Sequence, residues 1–308
     1  MEFIYKYLYN TRLWPANFMK YLEPENNTFD AVVIDITHKC NMECANCYIP
    51  NRDIPDLDMD KAYEVLERIP NRIFVRIIGA EPTMREDLFE IIARIKQMGH
   101  RTSLTTNGLK LARPEYVKAL KDAGLRYVLI SMNGSLDNSV YKILDNGKYA
   151  TVKHRALVNA LENNMVVNTG TIIAKGVNEH NIKEQVELIN NYAYKYNPKV
   201  PMVVRLKTVG TIGRNMGAES AYTFEEFKDL VFSELGLDKE EVMANLKTAH
   251  NHAGNILFQY DKIMVRLIDW SVDDEGVPDS GNEQRGRLTQ DFKIAPFFEH
   301  IKENEYGY

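Results

Sequence analysis

From residue 31 to residue 208 the chain repeats one unit, a short apolar run followed by an amphipathic stretch of helical length. The apolar runs stand at 31–36, 72–78, 102–106, 127–132, 166–173 and 202–208, and helical periodicity fills 58–69, 86–98, 114–123, 151–164 and 179–196. Strands alternating with helices in this way form parallel βαβ units, because each helix carries the chain back to the end where the previous strand began. The pattern therefore predicts an α/β protein whose core, residues 31–217, is a partial (β/α)6, TIM-like barrel. A barrel of this kind places its functional site at the carboxyl ends of the strands.

The flanks read differently. Phe3, Tyr5, Tyr7, Tyr9, Trp14, Phe18 and Tyr21 crowd residues 1–30, which are expected to form a helical lead-in packed on the barrel. Residues 218–308 predict two amphipathic helices (223–236 and 238–251), a strand pair over 255–270, an acidic loop around Asp273, Asp274, Glu275 and Asp279, and a last strand near 287–295. This α+β C-terminal extension is expected to cover the barrel mouth as a substrate lid. At 308 residues and 44% hydrophobic the chain can bury a sizeable core. No run approaches 18 apolar residues, so no membrane span is expected. Glu2 and the lack of a small-residue cleavage pattern argue against a signal peptide, which predicts a reducing, cytoplasmic location. A net charge of -5 argues against broad binding to nucleic-acid backbones.

All three cysteines fall within Cys40-Asn41-Met42-Glu43-Cys44-Ala45-Asn46-Cys47, directly after the first apolar run. Three thiolates can hold three irons of a [4Fe-4S] cluster and leave the fourth iron an exchangeable site. A structural zinc normally closes its tetrahedron with four protein ligands; here only His38, two residues before Cys40, is near in sequence, a cramped bite for one ion. A disulfide would leave one thiol over.

The C-x3-C-x2-C run after an apolar strand resembles the cluster loop of the radical S-adenosylmethionine (SAM) superfamily. Asn46 stands where many members carry an aromatic residue or His, and Tyr48 follows the third cysteine as a cofactor-side contact. Gly79-Ala80-Glu81-Pro82 resembles the family's G-G-E-P turn, whose carbonyls and carboxylate can meet the SAM ammonium. Asn107 and Ser131 end the third and fourth strands, where the resemblance implies contacts to the SAM ribose and carboxylate, with Asn133 facing substrate. Asn168 to Glu179 resembles a stretched G-x-I-x-G-x-x-E pattern that would lay Ile172 or Ile173 against the adenine. Arg205 is a candidate for the SAM carboxylate, and Arg214, Arg285 and Arg287 for a substrate anion. The segment from Arg285 to Phe298 looks like the hairpin of the SPASM and molybdenum-cofactor branch with its cluster cysteines missing.

The resemblance implies a [4Fe-4S] cluster, SAM, reductive cleavage to a 5'-deoxyadenosyl radical, and an electron donor such as flavodoxin or ferredoxin. It allows lyase, isomerase, dehydrogenase or peptide-modifying chemistry. The substrate would be a small anionic metabolite, a nucleotide derivative or a peptide side chain. With all three cysteines on iron, none remains to accept a methyl group. A cluster- or zinc-binding regulatory module without turnover is the alternative that the residues also allow.

Overall fold

A computed structural model describes residues 22–210, 213–214, 216–246, 255–270 and 285–296. Most of the expected lead-in and the acidic loop of Asp273 to Asp279 lie outside these residues, as does the end of the helix expected over 238–251.

The βα alternation is realised in order. Strands β1 (Ala31–Asp35), β2 (Phe74–Ile78), β3 (Arg101–Thr106), β4 (Tyr127–Ser131), β5 (Val166–Ile173) and β6 (Val203–Thr208) alternate with helices α1 (Met59–Arg68), α2 (Leu88–Gln97), α3 (Pro114–Ala123), α4 (Asn138–Leu144), α5 (Ala150–Glu162) and α6 (Asn181–Tyr196). After them come α7 (Phe224–Leu235), α8 (Lys239–Ala244), β7 (Asn255–Tyr260), β8 (Ile263–Ile268), β9 (Arg285–Leu288) and β10 (Ile294–Pro296). Helix ends are marked locally. Asp58 caps α1 through the amides of Asp60 and Lys61, and Thr223 forms a capping box with Glu226 on α7.

The strands make one open sheet in the order β10-β9-β1-β2-β3-β4-β5-β6-β8-β7. Its eight central strands are parallel, and the outermost pair on each side is antiparallel. The C-terminal extension thus contributes strands to both edges of the same sheet: β8 beside β6, and β9 beside β1. The last expected strand is a hairpin, because the backbone reverses between Thr289 and Lys293 with Phe292 in the left-handed region. The short helix α4, capped by Asp137, is an addition to the expected elements.

Side chains alternate between the two faces of each strand. Outward residues such as Ile34, Val75, Ile77, Leu104, Ile130, Val204 and Leu206 are fully buried against Leu66, Ile92, Leu157 and Ile189 of the helices. This layer is the core. The inward face is mixed: Val33 and Ile78 join Ile49 in a small apolar cluster, beside polar and charged neighbours.

Candidate active site

The cysteine loop is held from several sides of the barrel mouth. Asn41 Oδ1 accepts from Asn107 Nδ2 beyond β3 at 2.7 Å, and the Ala45 amide donates to Leu144 O at the end of α4 at 2.8 Å. Asn46 Nδ2 donates to Gly210 O beyond β6 at 3.0 Å, and Cys47 and Arg214 exchange backbone bonds of 3.0 and 2.9 Å. Asn46, at the position where an aromatic or His is common, therefore ties the loop to β6. The Arg214 guanidinium pairs with Glu43 at 3.0 Å, so the structure places this arginine on the rim of the loop.

All three thiols are free and partly accessible. Burial and the nearby Asp145 carboxylate push the Cys44 thiol far up, and burial raises Cys40 as well. Such thiols stay protonated until a metal displaces the proton. Among the described residues no three His, Cys, Asp or Glu side chains close on a single-ion site. His38 is buried, with Nδ1 3.3 Å from Asn51 O. Three accessible thiols from one short loop are a donor set that fits a cube with three protein-held corners. Arg52 stands beside it, donating from Nη2 to Cys47 Sγ at 3.5 Å and from Nη1 to Ile49 O at 2.5 Å.

The Gly79 to Pro82 turn is strapped beneath this loop. The Ala80 amide donates to Thr37 O at 2.9 Å and the Glu81 amide to Lys39 O at 3.0 Å. Gly79 sits at φ +149°, and a Cβ there would stand 2.5 Å from Thr37 O, so the close approach of the two backbones requires glycine. Glu81 is fully buried and its carboxylate accepts four hydrogen bonds. Three reach Oε1, from the Thr83 amide (3.1 Å), Thr83 Oγ1 (2.7 Å) and Thr106 Oγ1 (2.7 Å). The fourth runs from the Asn107 amide to Oε2 at 2.6 Å. The carboxylate thus braces the end of β2 against the end of β3.

A second brace joins β4 and β5. Asn133 donates to Asp145 at 2.7 Å and accepts from the Ile172 amide at 3.0 Å, and Asn178 Nδ2 bridges the carbonyls of Asn133 and Ile172. Asp145 forms a buried ion pair with Lys153 at 3.0 Å, each side chain 1% exposed, and Lys153 also donates to Ser131 O. Asn133, read from the sequence as a substrate contact, has its side chain committed inside this network. Ile173 is buried in the outer core, so of the two isoleucines only the partly exposed Ile172 is available to the mouth.

The remaining arginines lie deeper. Arg205 is in mid-strand on β6, and its inward neighbour Lys207 holds its Nζ 4.9 Å from the Trp270 ring, which in turn meets Tyr48 edge-on at 6.0 Å. Arg285 and Arg287 point inward from β9, and Arg287 is paired with Asp35 of β1. Sequence reading passes over Arg52, Arg76, Lys207, Arg266 and Trp270. For the strand residues a signal was available: Val75-Arg76-Ile77, Leu206-Lys207 and Val265-Arg266-Leu267 each set a cation inside an apolar run. A separate cavity of about 830 Å3 opens at the amino ends of β3, β4 and β5 beside Arg101, Tyr127 and Val166, at the opposite end from the cysteines.

This chain belongs to the radical SAM superfamily, whose family description matches residues 34–189, half of its length. That family uses a [4Fe-4S] cluster and SAM. The chain is similar to a GTP 3',8-cyclase of Aquifex aeolicus, with 30% identity over 170 residues, 51% of this chain and 52% of that protein. It is also similar to a PqqA peptide cyclase of Rhodopseudomonas palustris, with 36% identity over 110 residues, 34% of this chain and 29% of that protein. It spans about half or less of these relatives, which fit the SPASM and molybdenum-cofactor branch. Among solved structures, Streptococcus suis SuiB bound to its precursor peptide SuiA superposes with a TM-score of 0.56 at 15% identity, covering 87% of this chain and 59% of that one. A second, anSMEcpe with bound AdoMet and the Kp18Cys peptide, gives 0.51 at 14% identity, covering 67% and 58%. At such identities the likeness speaks for the fold, a radical SAM partial barrel. No helix among the described residues is long and apolar enough to cross a membrane.

Proposed function

We propose that this chain is a radical SAM enzyme that uses one cluster, held by Cys40, Cys44 and Cys47, to act on an anionic small molecule or a peptide side chain in the barrel. When bound, the cluster and SAM supply one-electron cleavage of the sulfonium and a 5'-deoxyadenosyl radical that takes a hydrogen atom from substrate. The observation that carries the reading is the clamping of three accessible thiols over the strand ends, with the Gly79 to Pro82 turn strapped beneath them. The chain's own residues do the positioning. Glu81 and Asn107 hold the turn and the end of β3 in one piece, and Ile172 and Tyr48 offer apolar surface at the mouth. The inward cations and Trp270 line the approach from below. An electron donor of the flavodoxin or ferredoxin type would meet the partly accessible cysteine loop.

Anaerobic reconstitution with iron and sulfide, followed by SAM and dithionite, tests the reading. Formation of 5'-deoxyadenosine and methionine is expected, with loss of both products and of visible absorption when any of the three cysteines is replaced by Ala. A fully loaded cluster that leaves SAM intact would instead favour a binding module without turnover.

A further inference from the structure

Among the described residues, four cations on the inward face of the barrel have no paired carboxylate. Arg76 on β2, Arg205 and Lys207 on β6, and Arg266 on β8 all occupy inward positions, since their neighbours Val75, Ile77, Val204, Leu206, Val265 and Leu267 are buried in the outer core. Arg205 and Arg266 are direct register partners on adjacent strands. Arg76 is separated from them in the sheet by β3, β4 and β5, yet it and these two arginines repel one another, because the sheet curls and brings β2 round to face β6 and β8. Arg285 of β9 adds to the same field.

Among the described residues Arg76, Arg205, Lys207 and Arg266 are poorly compensated. Arg266 donates from Nε to Asn255 Oδ1 at 2.8 Å, a neutral acceptor, and Lys207 lies over the face of Trp270. The Nε atoms of Arg76 and Arg205 are buried without a hydrogen-bond partner. Asp35, the acid on the inward face of β1, is engaged by Arg287. Among the described residues no carboxylate pairs with Arg76, Arg205, Lys207 or Arg266. Burial and mutual repulsion lower Arg205 to about 9 and Lys207 to about 7. All four side chains keep partial accessibility although they sit deep on the inner face, so a solute within the barrel can reach them. A cluster of like charges gathered from three strands is a stored electrostatic cost that a multivalent anion removes. The single carboxylate of SAM is too little charge for four cations.

We infer that Arg76, Arg205, Lys207 and Arg266 form a binding site for a phosphoryl group of the substrate, carrying two or more negative charges, with the reacting part of the molecule directed up toward the cysteine loop. This names the substrate class for the function proposed above and rests on that reading for its chemistry, though not for its binding. Compact charge distinguishes phosphate esters and anhydrides from a peptide, whose carboxylates are single and spaced apart.

The test uses the full chain with its reconstituted cluster in low-salt buffer, titrated with inorganic diphosphate, and with a Glu-Glu dipeptide as the carboxylate probe. Binding is followed by calorimetry and by melting temperature. Diphosphate is expected to bind and raise the melting temperature, with affinity at least tenfold lower in Arg76→Met and in Arg205→Met. Both variants are also expected to melt above wild type without anion, since each removes an unpaired inward charge, a direction opposite to the loss of a structural contact. Diphosphate affinity unchanged in both variants, no diphosphate binding by wild type, or dipeptide binding in place of diphosphate overturns the inference. Wild-type cleavage of SAM by dithionite, measured on the same preparation, reports separately on the proposed function. Cleavage without diphosphate binding sinks only the phosphoryl site, and binding without cleavage sinks only the radical reading.

Discussion

Replacement of Glu81 by Ala isolates what the buried carboxylate does. In the native fold it accepts from two backbone amides and two threonine hydroxyls and is fully removed from solvent. The hydroxyls of Thr83 and Thr106 can rotate toward other acceptors, but the amides of Thr83 and Asn107 are fixed by the backbone. Each orphaned donor costs about 1–3 kcal/mol, so the truncation is expected to destabilise the chain by about 2–6 kcal/mol. With an unfolding entropy of ~2.1 cal/mol/K per residue over 308 residues, the melting temperature falls by about 3–9 °C. Circular dichroism of the cluster-free protein measures this without interference from iron. Glu81→Gln, which keeps one carbonyl acceptor and presents an NH2 to the rest, should fall between the two. An Ala variant that melts within about 1 °C of wild type yet binds SAM more weakly would refute the brace and make the carboxylate a direct SAM ligand.

Three other outcomes follow from the same geometry. Gly79→Ala forces a Cβ onto the Thr37 carbonyl at a φ that L residues rarely adopt, with an expected cost of about 1–3 kcal/mol and fewer irons per chain after reconstitution, read by urea unfolding and iron assay. Lys153→Met leaves the Asp145 carboxylate buried without its cation and should cost about 3–5 kcal/mol in urea, most of it recovered in the double variant with Asp145→Leu. Lys207, lowered to about 7 by burial and by Arg205 and Arg285, binds fewer protons in the folded chain than unfolded between about 7 and its ordinary value of 10.5. The penalty is therefore complete below pH 7 and shrinks as pH rises; wild type should gain urea resistance from pH 6.5 to 8.5, and Lys207→Met should gain less.

Much of this molecule was legible before any coordinates. A period of two against a period near four separates strands from helices within a few residues of their observed limits, because both patterns are local. Cysteine spacing and the Gly-Ala-Glu-Pro turn are local as well, and they pointed to the correct family. One short element escaped: α4 has only seven residues, too few for a clear helical period.

Pairing between distant segments lay beyond the sequence. Periodicity says which face a residue occupies but not which strand lies beside it, so nothing in residues 218–308 announced that β8 would extend the sheet beyond β6 and β9 beyond β1. The same limit hid Glu81's partners at Thr106 and Asn107, twenty-five and more residues away, and the bonds of the Asn133 side chain to Asp145 and the Ile172 amide. A lone arginine within each of three apolar strands was visible in the chain. That Arg76 lies near enough to Arg205 and Arg266 to repel them was settled by the curl of the sheet, since a side chain's facing is set by its chain neighbours and its company by the course of the whole fold.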